Sequence, residues 1–299
     1  MVAVKRYGRE VTRCGKGVIA WAVVAAIVIL ALLAPGHAHA APFEAPPGWQ
    51  PDVAGARDYA LTRRGSVTFA IAVPGRTWGY RENATAPSAS VLKAMLLVAY
   101  LDHPSVRNRE LSGADWRLLS PMVRRSDNPT ATRVRSFVGV RRLRLLARRA
   151  GMRDFSPAPT RAWGQSRISA DDQARFFLRI DRYVVARHRA TAMRLLETVV
   201  PRQRWGVGEV APRGWRLYFK GGWGSGTGAV DHQVALLERG RTRVAIAVLT
   251  TDQGTHAYGK ESLRGVFERL VRGLGAADDE RGSAGENGLV LRDVALVDR

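Results

Sequence analysis

Cysteine is almost missing. Cys14 is the only one in 299 residues, and it lies ahead of the apolar run of residues 18–34. Everything after that run is therefore without disulfides and without thiolate chemistry, and a lipid-attachment cysteine, which would follow such a run, is excluded as well. Lysine is scarce too: of 47 basic residues only Lys5, Lys16, Lys93, Lys220 and Lys260 are lysine, the other 42 being arginine. In a chain that uses arginine for plain positive charge, a lysine inside an apolar helix, such as Lys93, is not generic charge, and arginine could not move a proton there because it does not deprotonate in proteins. The six histidines, at 37, 39, 103, 188, 232 and 256, show no pair at metal-ligand spacing, so no metal site and no cofactor is expected. Acidic residues number only 26, which leaves a formal charge of +21. That charge favours contact with anionic polymers. It is spread along the whole chain, however, and no basic stripe carries interleaved aromatics, which argues against nucleic-acid binding.

Residues 1–16 are basic, Val18 to Ala34 carry no charge, Pro35-Gly36 breaks the run, and Ala38-His39-Ala40 precedes Ala41. This is the three-part layout of a secretory signal with an Ala-x-Ala cleavage site, so residues 1–40 read as a signal peptide and the rest as exported. The apolar run is also about long enough to span a bilayer, and an uncleaved N-terminal membrane anchor is the alternative. Either way membrane contact is expected only through this segment, with the bulk of the chain outside the cytoplasm.

Residues 41–51 hold four prolines and read as an extended linker. Asp52 to Arg64 is expected to be a first helix. Ser66 to Val73 alternates strictly, with Val67, Phe69, Ile71 and Val73 on one face, and reads as a strand whose hairpin partner is Thr77 to Tyr80. Pro87 and Ser88 read as a helix start and Met95 to Leu101 as the buried body of that helix. A helical region from Asp102 to Leu146 is broken near Asp127-Asn128-Pro129. Gly151 to Gln165 is a loop, and Ser169 caps a helix reaching Tyr183. Trp215 to Phe219, Ala229 to Leu237 and Arg243 to Thr251 are three further strands. Lys260 to Leu274 closes the domain, and residues 275–299 read as a disordered tail. The expected fold is α+β: an antiparallel sheet with flanking terminal helices and an inserted all-helical lobe. The domain runs over 52–274, with a sheet lobe at 52–84 and 210–274 and a helical lobe at 85–209, and a cleft between the lobes is the expected site.

Three short motifs fall where that cleft needs side chains. Ser90-Val-Leu-Lys93 places a serine and a lysine one helical turn apart, so the amine can reach the hydroxyl. A serine attacks only when a base takes its proton, and a lysine is that base only when burial or neighbouring charge lowers its pKa. Ser126-Asp127-Asn128 sits at the break in the helical region. Lys220-Gly221-Gly222 ends the strand begun at Trp215. These motifs, in this order and on these kinds of element, resemble the penicillin-recognising serine enzymes, class A β-lactamases and the related D,D-peptidases, over about residues 52–274.

The resemblance implies roles. Ser90 attacks a carbonyl and is acylated, and Lys93 accepts its proton. Ser126 relays a proton to the leaving nitrogen. Asn128 holds Lys93 and a substrate amide. Lys220 supplies positive charge for a substrate carboxylate and tunes Ser126. The backbone N–H groups of Ser90 and Trp223 form the oxyanion hole. Gly221 and Gly222 give a bare strand edge to the substrate, and Ser225 or Thr227 stands in for the hydroxyl residue that the family usually has at the position of Gly221.

Departures from the pattern matter as much. The Ser90–Ser126 interval is shorter than in those enzymes, and the loop of residues 151–165 contains no glutamate to activate a hydrolytic water. Its only carboxylate is Asp154. The expected protein is therefore an exported serine hydrolase that forms an acyl-enzyme at Ser90 with a β-lactam or a cell-wall (peptidoglycan) peptide amide and releases it slowly. A non-catalytic penicillin-binding or wall-binding module of the same fold is the alternative, disfavoured because a pure binder needs neither Lys93 nor Ser126. An esterase of this fold is disfavoured because such enzymes usually carry a tyrosine at the second motif. Oligomeric state is not legible.

Overall fold

The computed structural model describes residues 42–224 and 227–275. The expected signal segment, the tail beyond Gly275 and Ser225 lie outside the described residues. Five strands form one antiparallel sheet in the order β2-β1-β7-β6-β5, made of β1 (Ser66–Val73), β2 (Arg76–Tyr80), β5 (Arg216–Gly224), β6 (Val230–Arg239) and β7 (Thr242–Thr251). β1 and β7 pair through Phe69↔Val248 and Ile71↔Ile246. Both of its faces are covered, and the period-2 alternation sorts side chains by size between them. Val67, Phe69, Ile71 and Val73 face one core with Ile246 and Val248, beneath the terminal helices α1 (Val53–Leu61) and α8 (His256–Leu270). Ala70, Ala72, Ala245 and Ala247 belong to the other core, where small residues let α5 (Ala170–Leu178) lie close on the sheet.

That second core is built around α2 (Leu92–Leu101), all ten of whose residues are buried. α3 (Gly113–Arg124), α4 (Asn128–Arg149) and α6 (Ala186–Glu197) surround it. The α+β layout with terminal helices on one face and an inserted lobe on the other is as the sequence implies.

Five details differ from expectation. The inserted lobe is not all-helical: β3 (Thr85–Pro87) and β4 (Arg167–Ser169) make a small antiparallel pair, too short to show alternation in sequence. The serine helix does not start at Pro87. Pro87 ends β3, Ala89 takes φ 42°, and a single 3-10 turn over Ala89–Val91 leads into α2. Lys220-Gly221-Gly222 lies inside β5 rather than at its end, because β6 pairs with it as far as Gly224. α8 begins at His256, four residues before Lys260, since the Thr255 side chain accepts from the Tyr258 N–H and caps it there. Finally, the proline-rich segment is extended but docked: Glu44 bridges to Thr242, and the buried Trp49 donates its indole N–H to the Arg272 carbonyl.

Candidate active site

The break between α3 and α4 shows how backbone and side chains divide the work. Asp127 is the N-cap of α4, its carboxylate accepting from the Thr130 N–H at 2.8 Å. Capping thus falls to the middle residue of Ser126-Asp127-Asn128 and leaves the side chains of its two neighbours to meet Lys93. Ser126 itself sits at φ 58°, a conformation that costs a non-glycine residue about 1–3 kcal/mol and persists only where surrounding structure imposes it. Ala89, just before Ser90, is in the same left-handed region. β3 is held beside the sheet by His232, which accepts from the Thr250 N–H at Nδ1 and so presents an Nε2–H to the Pro87 carbonyl at 2.9 Å.

Lys93 and Lys220 converge on one hydroxyl. Lys93 Nζ lies 3.1 Å and Lys220 Nζ 3.0 Å from Ser126 Oγ. Lys93 also meets the Ser126 carbonyl at 2.5 Å and Asn128 Oδ1 at 2.8 Å, and Lys220 meets the Gly221 carbonyl at 2.8 Å. Both amines are fully buried. Burial lowers the Lys93 pKa from 10.5 to about 7, with the Asp127 charge opposing, and holds Lys220 well below its ordinary value, helped by the charge of Lys93. A neutral Lys93 amine has two N–H groups. Given to the Ser126 carbonyl and Asn128 Oδ1, they leave its lone pair to take a proton from a hydroxyl.

The cleft beside this cluster has a volume of about 450 Å³, and Ser90, Asn128, Thr132, Arg161, Gln165 and Trp223 are among its lining residues. Ser90 is 9 % exposed. It is the middle residue of the Ala89–Val91 turn, three residues ahead of Lys93; the cleft brings Ser90 and Asn128 together, and Asn128 connects through Lys93 to Ser126 and Lys220. Trp223 is 36 % exposed on the same wall, and Thr227 lines the cleft while donating to the Gly224 carbonyl at 3.1 Å.

Some expected roles change. Lys220, like Lys93 and Ser126, does not line the cleft; its amine meets Ser126 Oγ and the Gly221 carbonyl behind it. Gly221 and Gly222 are buried and do not line it either. A Cβ at Gly221 would press on the Trp205 ring at 3.3 Å, and one at Gly222 would come within 2.9 Å of the Ser90 and Val91 nitrogens. These glycines let β5 approach Trp205 and the serine turn, which is a packing role. Gly224, two residues on, does line the cleft.

The facing wall is a 3-10 turn over Thr160–Gln165. Trp163 donates its indole N–H to Thr132 Oγ1 at 3.1 Å, and its ring lies 5.1 Å from Lys93 Nζ. Sequence reasoning passed over Trp163, Thr132 and Arg161. A large aromatic inside a loop of small and proline residues was the available signal. Among the described residues no carboxylate lines the cleft. Asp154 stands outside it, with its backbone N–H held by Asp172 Oδ2 at 2.7 Å.

A buried lysine–serine–lysine cluster behind a cleft-lining serine, between a sheet edge and a helical lobe, defines a serine hydrolase of β-lactamase type. A model of the beta-lactamase enzyme family matches residues 115–271, and the chain belongs to that family. The matched stretch contains the second and third motifs but begins after Ser90 and Lys93. Solved structures agree in fold. A beta-lactamase from Sphaerobacter thermophilus superposes with a TM-score of 0.65 at 17 % identity, over 75 % of this chain and 97 % of its own. A beta lactamase from Xanthomonas campestris gives 0.63 at 17 %, over 73 % and 95 %. A class A beta-lactamase from Mycobacterium abscessus gives 0.64 at 16 %, over 75 % and 99 %. No curated protein matches this chain.

Proposed function

We propose that the protein is an exported serine hydrolase that forms an acyl-enzyme at Ser90 with a β-lactam or a cell-wall peptide amide, and that it releases the acyl group slowly. The observation that carries this reading is the buried Lys93 amine, bonded to the Ser126 carbonyl and Asn128 with a pKa near neutrality. Ser90 Oγ attacks the carbonyl carbon as its proton passes to Lys93 Nζ. The carbonyl oxygen becomes an oxyanion facing the Ser90 and Trp223 backbone N–H groups, each such donor being commonly worth ~3 kcal/mol of barrier. Ser126 Oγ then gives its proton to the leaving nitrogen and is reprotonated from Lys93, which returns the amine to its neutral form. Lys220 keeps the Ser126 hydroxyl polarised throughout.

Release needs a water activated beside the ester. With no carboxylate on the cleft wall among the described residues, Lys93 is the base left to do it, and general-base help of about 10²–10⁴-fold from a second group is forgone. A non-catalytic module of the same fold has less support. Two fully buried lysines cost stability and would be lost readily if only binding were needed. The reading of residues 1–40 as an export signal, cleaved or retained as an anchor, belongs to the same proposal.

The test is intact mass during incubation with excess β-lactam. The expected result is an adduct on Ser90 persisting for minutes or longer, and none in Ser90→Ala. Rapid multiple turnovers with no detectable adduct would show an efficient β-lactamase with another base. No adduct and no turnover with any β-lactam or wall peptide would remove the hydrolase reading.

A further inference from the structure

Beyond Trp223 lies a second cavity of about 230 Å³, lined by Trp223, Gly224, Asp231, Thr255 and His256 among others. Trp223 is the wall it shares with the catalytic cleft. Asp231, on β6 opposite Trp223, is 3 % exposed. His256, the first residue of α8, sets Nδ1 against Asp231 Oδ1. Its ring stacks on Trp223 at 5.8 Å between centroids and 25° between planes, and the edge of Trp205 closes on both rings. α8 is pared to glycine at 259, where any Cβ would collide with Asp231 Oδ2. The carboxylate is thus built into the fold, and it stands outside the Lys93–Ser126–Lys220 network.

His256 Nδ1 holds Asp231 Oδ1 and so fixes the orientation of the carboxylate. Burial pushes the Asp231 carboxyl up to about 6, and of the groups acting on it His256 dominates while Lys260 has the weakest influence. An anion in a small, aromatic-walled cavity is unfavourable until a cation joins it. Indole and imidazole faces beside a carboxylate are the surroundings in which an alkylammonium is held by charge and by the ring quadrupole together.

We propose that this cavity is a subsite for a primary ammonium group of the substrate, seated against Asp231, His256 and Trp223 where the substrate extends past the catalytic cleft. That the ammonium belongs to a substrate rests on the hydrolase reading above; that the cavity binds it does not.

The experiment is run on the full chain carrying Ser90→Ala, with n-pentylammonium as probe and 1-pentanol as its neutral counterpart. The His256 ring resonances report on the site. Saturable shifts by the ammonium, at least tenfold weaker binding of the alcohol, and a similar loss in Asp231→Asn are expected. Equal binding of ammonium and alcohol, or undiminished binding in Asp231→Asn, overturns the subsite. Where Asp231→Asn does not fold, the ammonium–alcohol comparison decides alone. Covalent labelling of the chain with Ser90 intact is measured in parallel. Labelling without ammonium binding removes the subsite and keeps the hydrolase. Binding without labelling keeps the subsite and removes its tie to a substrate of that enzyme.

Discussion

One wall of the cleft presents Ser90 and Asn128, and behind it Lys93, Ser126, Asn128 and Lys220 are tied to backbone and to each other at 2.5–3.1 Å. The wall opposite, Thr160–Gln165, presents an arginine, a tryptophan and a glutamine from a short 3-10 turn. In the proposed reaction, forming the acyl-enzyme draws on the first wall and its fast hydrolysis would draw on both. The first is built to move a proton at neutral pH, and the second has nothing that accepts one. Under the proposed function, the difference makes acylation and deacylation separable, so each should be open to being broken or restored without the other.

The largest effect is expected on the first wall. Lys93→Arg keeps a positive charge but cannot surrender a proton, and it should lower the rate of Ser90 acylation by about 10²–10⁴-fold, the usual worth of general-base catalysis. Fluorescent-penicillin labelling with time measures it. Labelling at the unaltered rate would show that Lys93 is not the base. On the facing wall the opposite change is expected. Gln165→Glu places a carboxylate in the cleft and should shorten the lifetime of the adduct by about 10–100-fold while leaving acylation nearly as it was. An unchanged lifetime would mean that the hydrolytic water does not approach from the Thr160–Gln165 side.

How far this contrast was legible in sequence follows from its physics. The lysine economy and the motif order located the first wall, because a buried proton carrier cannot be replaced by arginine and its partners must recur at fixed elements. The alternation of β1 and the apolar body of α2 fixed the two cores. What escaped depended on distant contacts. β3 and β4 exist through their mutual pairing and through His232, not through any local pattern. The packing roles of Gly221 and Gly222 depend on Trp205 and the serine turn, far away in sequence. The burial of Lys220 behind Ser126 is likewise a tertiary fact, and so is the pairing of Asp231 with His256. The missing glutamate, by contrast, was readable at once, since absence from a loop is a property of the sequence itself.

A smaller and graded effect separates the walls by pH. Lys93 acts as base only when neutral, and its folded pKa lies below its unfolded one, at about 7. The acylation rate should therefore rise with pH through neutrality and level off above it, by ~10-fold between pH 6 and pH 8. The same depression has a sign for stability. Between about 7 and 10.5 the unfolded chain binds more protons at this residue than the folded one, so the cost of burying Lys93 is greatest below that window and is relieved as pH rises through it. Acylation rates measured from pH 5 to 9 check the first point, and a flat profile would contradict a lysine base.

The smallest expected effect tests the empty wall most directly. Asp154 is the only carboxylate of the 151–165 loop and the one local substitute for the absent glutamate. Its peptide segment is fastened away from the cleft, because Asp172 accepts from the Arg153 and Asp154 N–H groups at 3.0 and 2.7 Å. Asp172 is itself 1 % exposed, in the first turn of α5, and is paired with Arg175. Moving Asp154 to the ester would mean breaking both backbone bonds and uncovering that carboxylate, and bonds to a charged group each contribute roughly 1.5–3 kcal/mol. Asp154→Asn should then leave adduct lifetime and acylation rate unchanged within about twofold, well short of the effect of removing a general base. A tenfold longer lifetime with unaltered acylation would mean that the loop does carry Asp154 to the ester during turnover. The facing wall would then be equipped for hydrolysis by motion, where its resting geometry offers no base.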